Sequence, residues 1–353
     1  MNNFFSENSF LLDQSKKKKY FEVSLSKRIN HHYRNCPNYK KILNNLSYNP
    51  KKSYKIENFP FLSVRIFKKF ELYSIKKKNI FKILNSSGTS SGELSKIYLD
   101  KKNAQDQSIV LTNIFNSFFG KSRYPMLIID NEDHLKNRNS FSARSAAVLG
   151  FSRFGKDITF ALDKKMNLKI NQINNFFKKY QKENFIIFGF TFMIWEKFYN
   201  SIKNNKKYNL KNAILIHGGG WKKLESLNIS NSEFKKKIQK NLKISKIHNY
   251  YGMIEQTGSI FFECSDCENF IASDYSDVLI RGENFEVLDK YKLGYIQLLS
   301  TLPTSYPGNN ILTEDLGMIT ENKNCKTCSR MKGKRFKVFG RIKDAELRGC
   351  SDV

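Results

Sequence analysis

The pattern of hydrophobic and polar positions changes character twice along the chain. The first eighty or so residues read as helical and irregular, punctuated by Pro37 and Pro60. Beyond them, short apolar runs bounded by turn residues occur at 126–130, 185–188, 213–217 and 247–251, each the length of a buried strand. Between these runs the spacing is helical. Leu111, Ile114, Phe115, Phe118 and Phe119 share one helical face, as do Ile173, Phe176, Phe177 and Tyr180. Strands alternating with helices predict an α/β fold on a largely parallel, covered sheet, its ligand crevice at the strands' carboxyl ends. After Phe261 the pattern turns β-rich, with strands expected at 278–281 and 295–300. There is no internal repeat and no long low-complexity linker.

Composition adds bounds. The 353 residues allow one large domain or two or three smaller ones, and 40% hydrophobic content with 30 Phe points to a folded globule. A net charge of +29 is the kind of signal that nucleic-acid binding gives. Most of it, however, is Lys in short runs (16–19, 76–78, 235–237), and Arg, the usual reader of base edges, is sparse. A solvated Lys-rich surface is therefore favoured over a dedicated nucleic-acid face, with loose attraction to acidic partners or anionic membranes left open. No stretch spans a bilayer: the longest apolar run, 185–195, is about half the roughly 20 residues required, and it contains Gly189. The amino terminus has no basic segment ahead of its apolar residues, which makes a poor signal peptide. The expectation is cytoplasmic residence, where six cysteines serve as thiols or metal ligands rather than disulfides.

Four segments carry candidate chemistry. Ser86-Ser87-Gly88-Thr89-Ser90-Ser91-Gly92, with Lys96 shortly after, is either a flexible loop or a cradle for phosphate oxygens, since small residues let backbone amides approach a ligand. It lacks Walker spacing. In Asn249-Tyr250-Tyr251-Gly252-Met253-Ile254-Glu255-Gln256-Thr257-Gly258, a strand ending in Tyr251-Gly252 sets Glu255 at its mouth, as a Mg²⁺ ligand or an ordinary helix-start carboxylate. In Leu312-Thr313-Glu314-Asp315-Leu316-Gly317, read as a turn, Asp315 could accept both ribose hydroxyls. Last comes Gly340-Arg341-Ile342-Lys343-Asp344, running into a tail with Cys350 near its end. A thiol on a tail suits acyl carriage, the other reading being a bystander.

In this order the four segments resemble the conserved series of the adenylate-forming (acyl-CoA synthetase-like) superfamily. The agreement is closer with its LuxE-like acyl-protein synthetases, relatives of the phenylacetate-CoA ligases. Phe188-Gly189-Phe190-Thr191, Tyr251-Gly252-Met253-Ile254-Glu255-Gln256, Ser305-Tyr306-Pro307-Gly308 and Glu346-Leu347-Arg348-Gly349-Cys350-Ser351-Asp352 all look like that branch. The resemblance covers about residues 30 to 353. It implies an N-terminal helical segment (1–80) packed on an α/β nucleotide-binding core (81–260), a β-rich subdomain (261–340), and a truncated hinge and tail (341–353). The mobile C-terminal domain of typical members is expected to be absent. It also implies chemistry in two steps: ATP and a carboxylic acid, a fatty acid in this branch, form an acyl-adenylate, and a thiol then takes the acyl group.

On this resemblance Ser87, Gly88, Thr89, Ser90, Ser91 and Gly92 hold the triphosphate, with Lys96 as a nearby catalytic cation. Glu255 holds Mg²⁺, Asp315 the ribose, and Arg341 the ribose or phosphate edge. His217-Gly218-Gly219-Gly220 resembles the adenine-flanking segment, so Gly218, Gly219, Tyr251 and Gly252 line the nucleotide. Cys350 matches the acyl-accepting cysteine, from which a downstream acceptor protein or reductase would take the acyl group. Lys96 stands slightly further along than in the commonest loop. The acceptor could instead be coenzyme A, a carrier protein or a sugar, and a non-catalytic nucleotide- or nucleic-acid-binding module is the reading from another class. Separately, Cys264-Ser265-Asp266-Cys267 and Cys325-Lys326-Thr327-Cys328 match the paired knuckles of a structural Zn²⁺ site. Unrelated thiols and a redox pair are the other readings. Cys36 lies outside both pairs.

Overall fold

The computed structural model describes residues 8–86, 94–135, 142–204, 208–220, 229–321 and 324–342. These divide into two compact units, one of residues 121–251 and one combining 8–86, 94–120 and 252–342.

The unit of residues 121–251 is built on a parallel sheet. Its strands lie in the order Gly155–Phe160, Tyr124–Ile128, Phe185–Phe190, Ala213–Gly218, Lys246–Tyr251. In chain order this is 2-1-3-4-5, so the winding reverses between Tyr124–Ile128 and Phe185–Phe190, the place where open α/β sheets take ligands. Phe185–Phe190 and Ala213–Gly218 are buried throughout, which is why they read as unbroken apolar runs. Gly155–Phe160 carries no such run because it sits at the sheet edge, largely exposed or half-buried.

Helices cover both faces of this sheet. Phe151, on the helix Ala143–Ser152, stacks on Phe188 at 4.4 Å, while Phe176 and Phe177, on Ile170–Tyr180, meet Phe185 on the opposite face. Ile173, Phe176, Phe177 and Tyr180 are all buried, as their spacing predicts. Ser142 and Ser230 cap the helices that follow them by accepting from the amides of Ser145 and Glu233. The long apolar run ends its strand at Phe190, and from Thr191 the chain is helical, with a π-helical turn at Ile194–Tyr199.

The other unit carries an antiparallel sheet in the order Ser276–Arg281, Gly294–Ser300, Asn310–Thr320, Arg335–Arg341, Phe270–Ile271, Phe261–Glu263. Leu62–Ser63 runs parallel beside Asn310–Thr320. One sequence expectation is corrected here. Residues 312–317, read as a turn, lie inside the 11-residue strand Asn310–Thr320. Pairing on both sides overrides the turn propensity of Thr-Glu-Asp-Leu-Gly, and Gly317 survives as the point where the register slips. A Cβ there would stand 2.6 Å from the Lys337 carbonyl oxygen.

Helices flank this sheet in sequence. Asp13 caps Gln14–Asn35, Pro37 opens Pro37–Asn45, and Asp100 caps Lys101–Phe119, which ends at Gly120 with φ 83°. Phe115, Phe118 and Phe119 close on Phe262 and form the aromatic centre of this core.

Candidate functional site

In the parallel-sheet unit, candidate residues gather at the carboxyl ends of adjacent strands. Phe190 and Gly218 are cross-strand partners, and so are Gly218 and Tyr250. Gly218 has no room for a side chain: a Cβ would come within 2.3 Å of the Tyr250 ring. Gly219 sits at φ +84°, and a Cβ on it would meet the Phe190 ring at 2.7 Å. Glycine is thus required twice in succession, once for close packing and once for backbone conformation.

Beneath these glycines lies a buried polar knot. The Thr191 hydroxyl is 2.9 Å from His217 Nδ1 and donates to the Gly218 carbonyl oxygen at 3.2 Å. Burial drives the His217 imidazole well below its usual pKa, and Lys235 and His248 add to the effect. Beyond Tyr124–Ile128, beside the winding reversal, Asp130 and Arg144 form a buried bidentate pair at 2.6 and 2.8 Å. Nothing in the sequence pattern marks that pair, because its members lie on different elements.

In the other unit the strands Lys82–Asn85 and Lys96–Leu99 pair antiparallel on either side of the Ser/Gly segment. Asn85 pairs with Lys96, and the Ser95 amide donates to Ser86 Oγ at 2.9 Å, so the root of the segment is clamped. Lys96 is exposed at that root. Ser87, Gly88, Thr89, Ser90, Ser91 and Gly92 lie outside the described residues, as does Cys350.

Glu255 sits in the 3₁₀ turn Ile254–Gln256 and is only 3% exposed. Gln256 beside it donates to the carbonyls of Leu298 and Gly308. That bond ties the turn to the Ser305-Tyr306-Pro307-Gly308 loop, where a Cβ on Gly308 would come within 2.6 Å of the Glu255 carbonyl oxygen. Burial raises the Tyr306 phenol pKa, and the Glu255 carboxylate adds to the rise. The loop is pinned in turn by Ser305, whose hydroxyl proton is shared between the Tyr98 carbonyl at 2.8 Å and Asn103 Oδ1 at 2.9 Å.

His32 holds the start of the same loop. Its Nε2 bonds the Pro303 carbonyl at 3.3 Å and its Nδ1 the Ser74 hydroxyl at 2.7 Å. Burial, with His31 nearby, pushes the His32 pKa from 6.5 down to about 3. The unfolded chain therefore takes up a proton below pH 6.5 that the folded chain refuses until about pH 3. Stability from this group is complete above 6.5 and drains away at up to about 1.4 kcal/mol per pH unit below it. Urea titrations between pH 7 and 4 should show a steeper loss for the wild type than for His32→Gln. Parallel slopes would remove His32 as the cause.

Asp315 and Arg341 are cross-strand partners, and Arg341 Nε lies 3.4 Å from Asp315 Oδ1. Both side chains remain about a quarter exposed, open to a polar ligand. Adjacent Glu314 pairs with Arg65, and its carbonyl accepts from the Ile342 amide.

The four cysteines converge. Their Sγ atoms all lie within 4.8 Å of one another, with Cys264–Cys325 and Cys267–Cys328 each at 3.7 Å. A tetrahedral ion with metal–sulfur bonds of about 2.3 Å requires sulfur–sulfur edges of about 3.8 Å. The donor set and spacing can hold such an ion. Arg335 braces the group, donating to the Cys328 carbonyl at 2.8 Å with Cys328 Sγ at 3.7 Å. Cys36 stands apart, buried, its thiol pKa raised by burial.

The structure thus brings together Asp315 with Arg341, and Cys264, Cys267, Cys325 and Cys328 with one another. Gly218, Gly219 and Tyr251 belong to the parallel-sheet unit, while Gly252, Glu255 and Lys96 belong to the other. Sequence reasoning quoted Thr191 and His217 only as members of motif segments. The bond between them carries no signal in spacing, since it forms across strands.

A 2-hydroxyisobutyryl-CoA ligase, solved in an open conformation with 2-HIB-AMP and CoA, superposes with a TM-score of 0.74 at 14% identity, over 98% of this chain and 80% of that one. ATP-bound MatB from Rhodopseudomonas palustris gives 0.51 at 13% identity, over 78% and 52%. The amide bond synthetase McbA from Marinactinospora thermotolerans gives 0.52 at 12%, over 84% and 53%. No curated protein matches the sequence. The fold is that of adenylate-forming ligases. Residues 2–353 match the family described as "Acyl-protein synthetase, LuxE", and the chain belongs to that family. Among the described residues no helix is long and apolar enough to cross a membrane.

Proposed function

We propose that this protein adenylates a fatty or related carboxylic acid with ATP and transfers the acyl group to the thiol of Cys350. The observation that carries the reading is the family match, which runs through the tail to residue 353. The Asp315–Arg341 pair, the buried Glu255 and the glycines at the mouth of Ala213–Gly218 support it.

In the first step a substrate carboxylate oxygen attacks the α-phosphorus of ATP, and the bond to the departing pyrophosphate breaks. Asp315 accepts the ribose hydroxyls and Arg341 faces the ribose or phosphate edge. Gly218 and Gly219 let the backbone approach the base. Glu255 would hold Mg²⁺, which when bound spreads the charge that develops on the phosphates. In the second step the Cys350 thiolate attacks the acyl carbonyl and AMP leaves, while the thiol proton passes to solvent.

Incubation with ATP, Mg²⁺ and radiolabelled fatty acids should give a hydroxylamine-labile protein adduct that Cys350→Ser abolishes. An adduct that survives the substitution removes Cys350 from the reaction. Product formed only when coenzyme A is added would move the acceptor off the chain.

For the cysteine cluster the same reading assigns a structural Zn²⁺. Four thiolates with 3.7 Å edges suit a closed tetrahedral site, and a closed site leaves no position for substrate.

A further inference from the structure

We infer that His217 is a positioning residue for the nucleotide, acting through Thr191 on the backbone of Gly218 and Gly219. The inference rests on the adenylation reading and gives a role to two residues that the motif segments contain without one.

Hydrogen-bond bookkeeping fixes the arrangement. Thr191 Oγ1 has one proton and two neighbours, the Gly218 carbonyl at 3.2 Å and His217 Nδ1 at 2.9 Å. A carbonyl oxygen can only accept, so the hydroxyl proton goes to Gly218. His217 must then donate from Nδ1, which makes its neutral tautomer the Nδ1–H form. The imidazole, the hydroxyl and the carbonyl form one directed chain, with both side chains 0% exposed. Its first member is held from the side by the Phe234 ring at 4.8 Å.

The location gives the chain its consequence. Gly218 is the last residue of Ala213–Gly218, and past it Gly219 takes its positive φ. Two glycines in a row have the widest conformational freedom of any dipeptide. From above they are limited by the Tyr250 and Phe190 rings, and from below by the Thr191 hydroxyl on the Gly218 carbonyl. Thr191 also starts the helical segment after the neighbouring strand. The bond therefore locks two strand mouths together just where their ladder ends. Without it the Gly218–Gly219 peptide loses one of its restraints, and a ligand lying on it must supply more of the ordering itself. The loss falls on binding more than on chemistry, because neither His217 nor Thr191 is placed at a reacting atom.

The test measures ATP affinity directly with a fluorescent ATP analogue, and KM and kcat by ATP–pyrophosphate exchange. Thr191→Val and His217→Gln should each weaken nucleotide binding about tenfold, the scale of one buried hydrogen bond, with kcat changed less than threefold. His217→Asn, whose amide nitrogen stands near the position of Nδ1, should keep most of the wild-type affinity. Nitrogen-15 NMR of the wild-type imidazole should find the proton on Nδ1, a readout that needs no variant to fold. A proton on Nε2, or nucleotide affinity unchanged in folded Thr191→Val, overturns the inference while leaving the adenylation reading intact. Wild-type protein that binds no nucleotide removes both.

Discussion

Glu255→Gln should lower the rate of ATP–pyrophosphate exchange by about a hundredfold or more, with little change in the unfolding midpoint. Glutamine has nearly the same shape but no charge, so it fills the same buried space while losing its hold on a divalent cation. Stabilising charge on transferring phosphates is worth several kcal/mol, and a loss of about 2.7 kcal/mol already gives two orders of magnitude. The fold should tolerate the change. The Ile254–Gln256 turn is tied down by Gln256, bonded to Leu298 and Gly308, and the substitution leaves those bonds in place. Extra Mg²⁺ should recover part of the rate. Exchange within a few-fold of wild type at limiting Mg²⁺ would take Glu255 out of the metal site.

The second large effect belongs to the cysteines. Purified protein should carry about one zinc per chain by elemental analysis, and Cys264→Ala should carry almost none. The bridged residues are 61 apart in sequence, and a cross-link closing a loop of that length is worth about 4 kcal/mol in chain-entropy terms. For a chain of this size that corresponds to a midpoint lower by about 5 °C. A chelator strong enough to strip zinc should reproduce the drop in wild-type protein and have no further effect on the variant. Cys36→Ser serves as the control for losing a buried thiol, since it should leave metal content unchanged. Equal zinc in Cys264→Ala and wild type would end the assignment.

The sequence made the centre of the parallel sheet legible because Phe185–Phe190 and Ala213–Gly218 are buried on both faces, and burial writes itself as an apolar run. The edge strand Gly155–Phe160 leaves no such record. Asn310–Thr320 misled in the other direction: its polar, turn-prone middle is held extended by two neighbouring strands, a fact of tertiary pairing rather than local preference. Among candidate residues, the cysteine pairs announced themselves by spacing, because each Cys-x-x-Cys pair is local. The Thr191–His217 contact and the Asp130–Arg144 pair depend on which strands lie side by side. Resemblance located Asp315 and Arg341 separately, yet only the sheet register places them opposite one another.

The bond from the Ile342 amide to the Glu314 carbonyl sets a length scale for everything after it. From that anchor to Cys350 the chain measures at most about 27 Å at full extension. If Cys350 carries the acyl group, it works as a fixed relay station rather than a long-range courier. The protein that collects the acyl chain must then bring its own active site within that distance of Ile342, and a Gly/Ser insert after Ile342 should relax that demand.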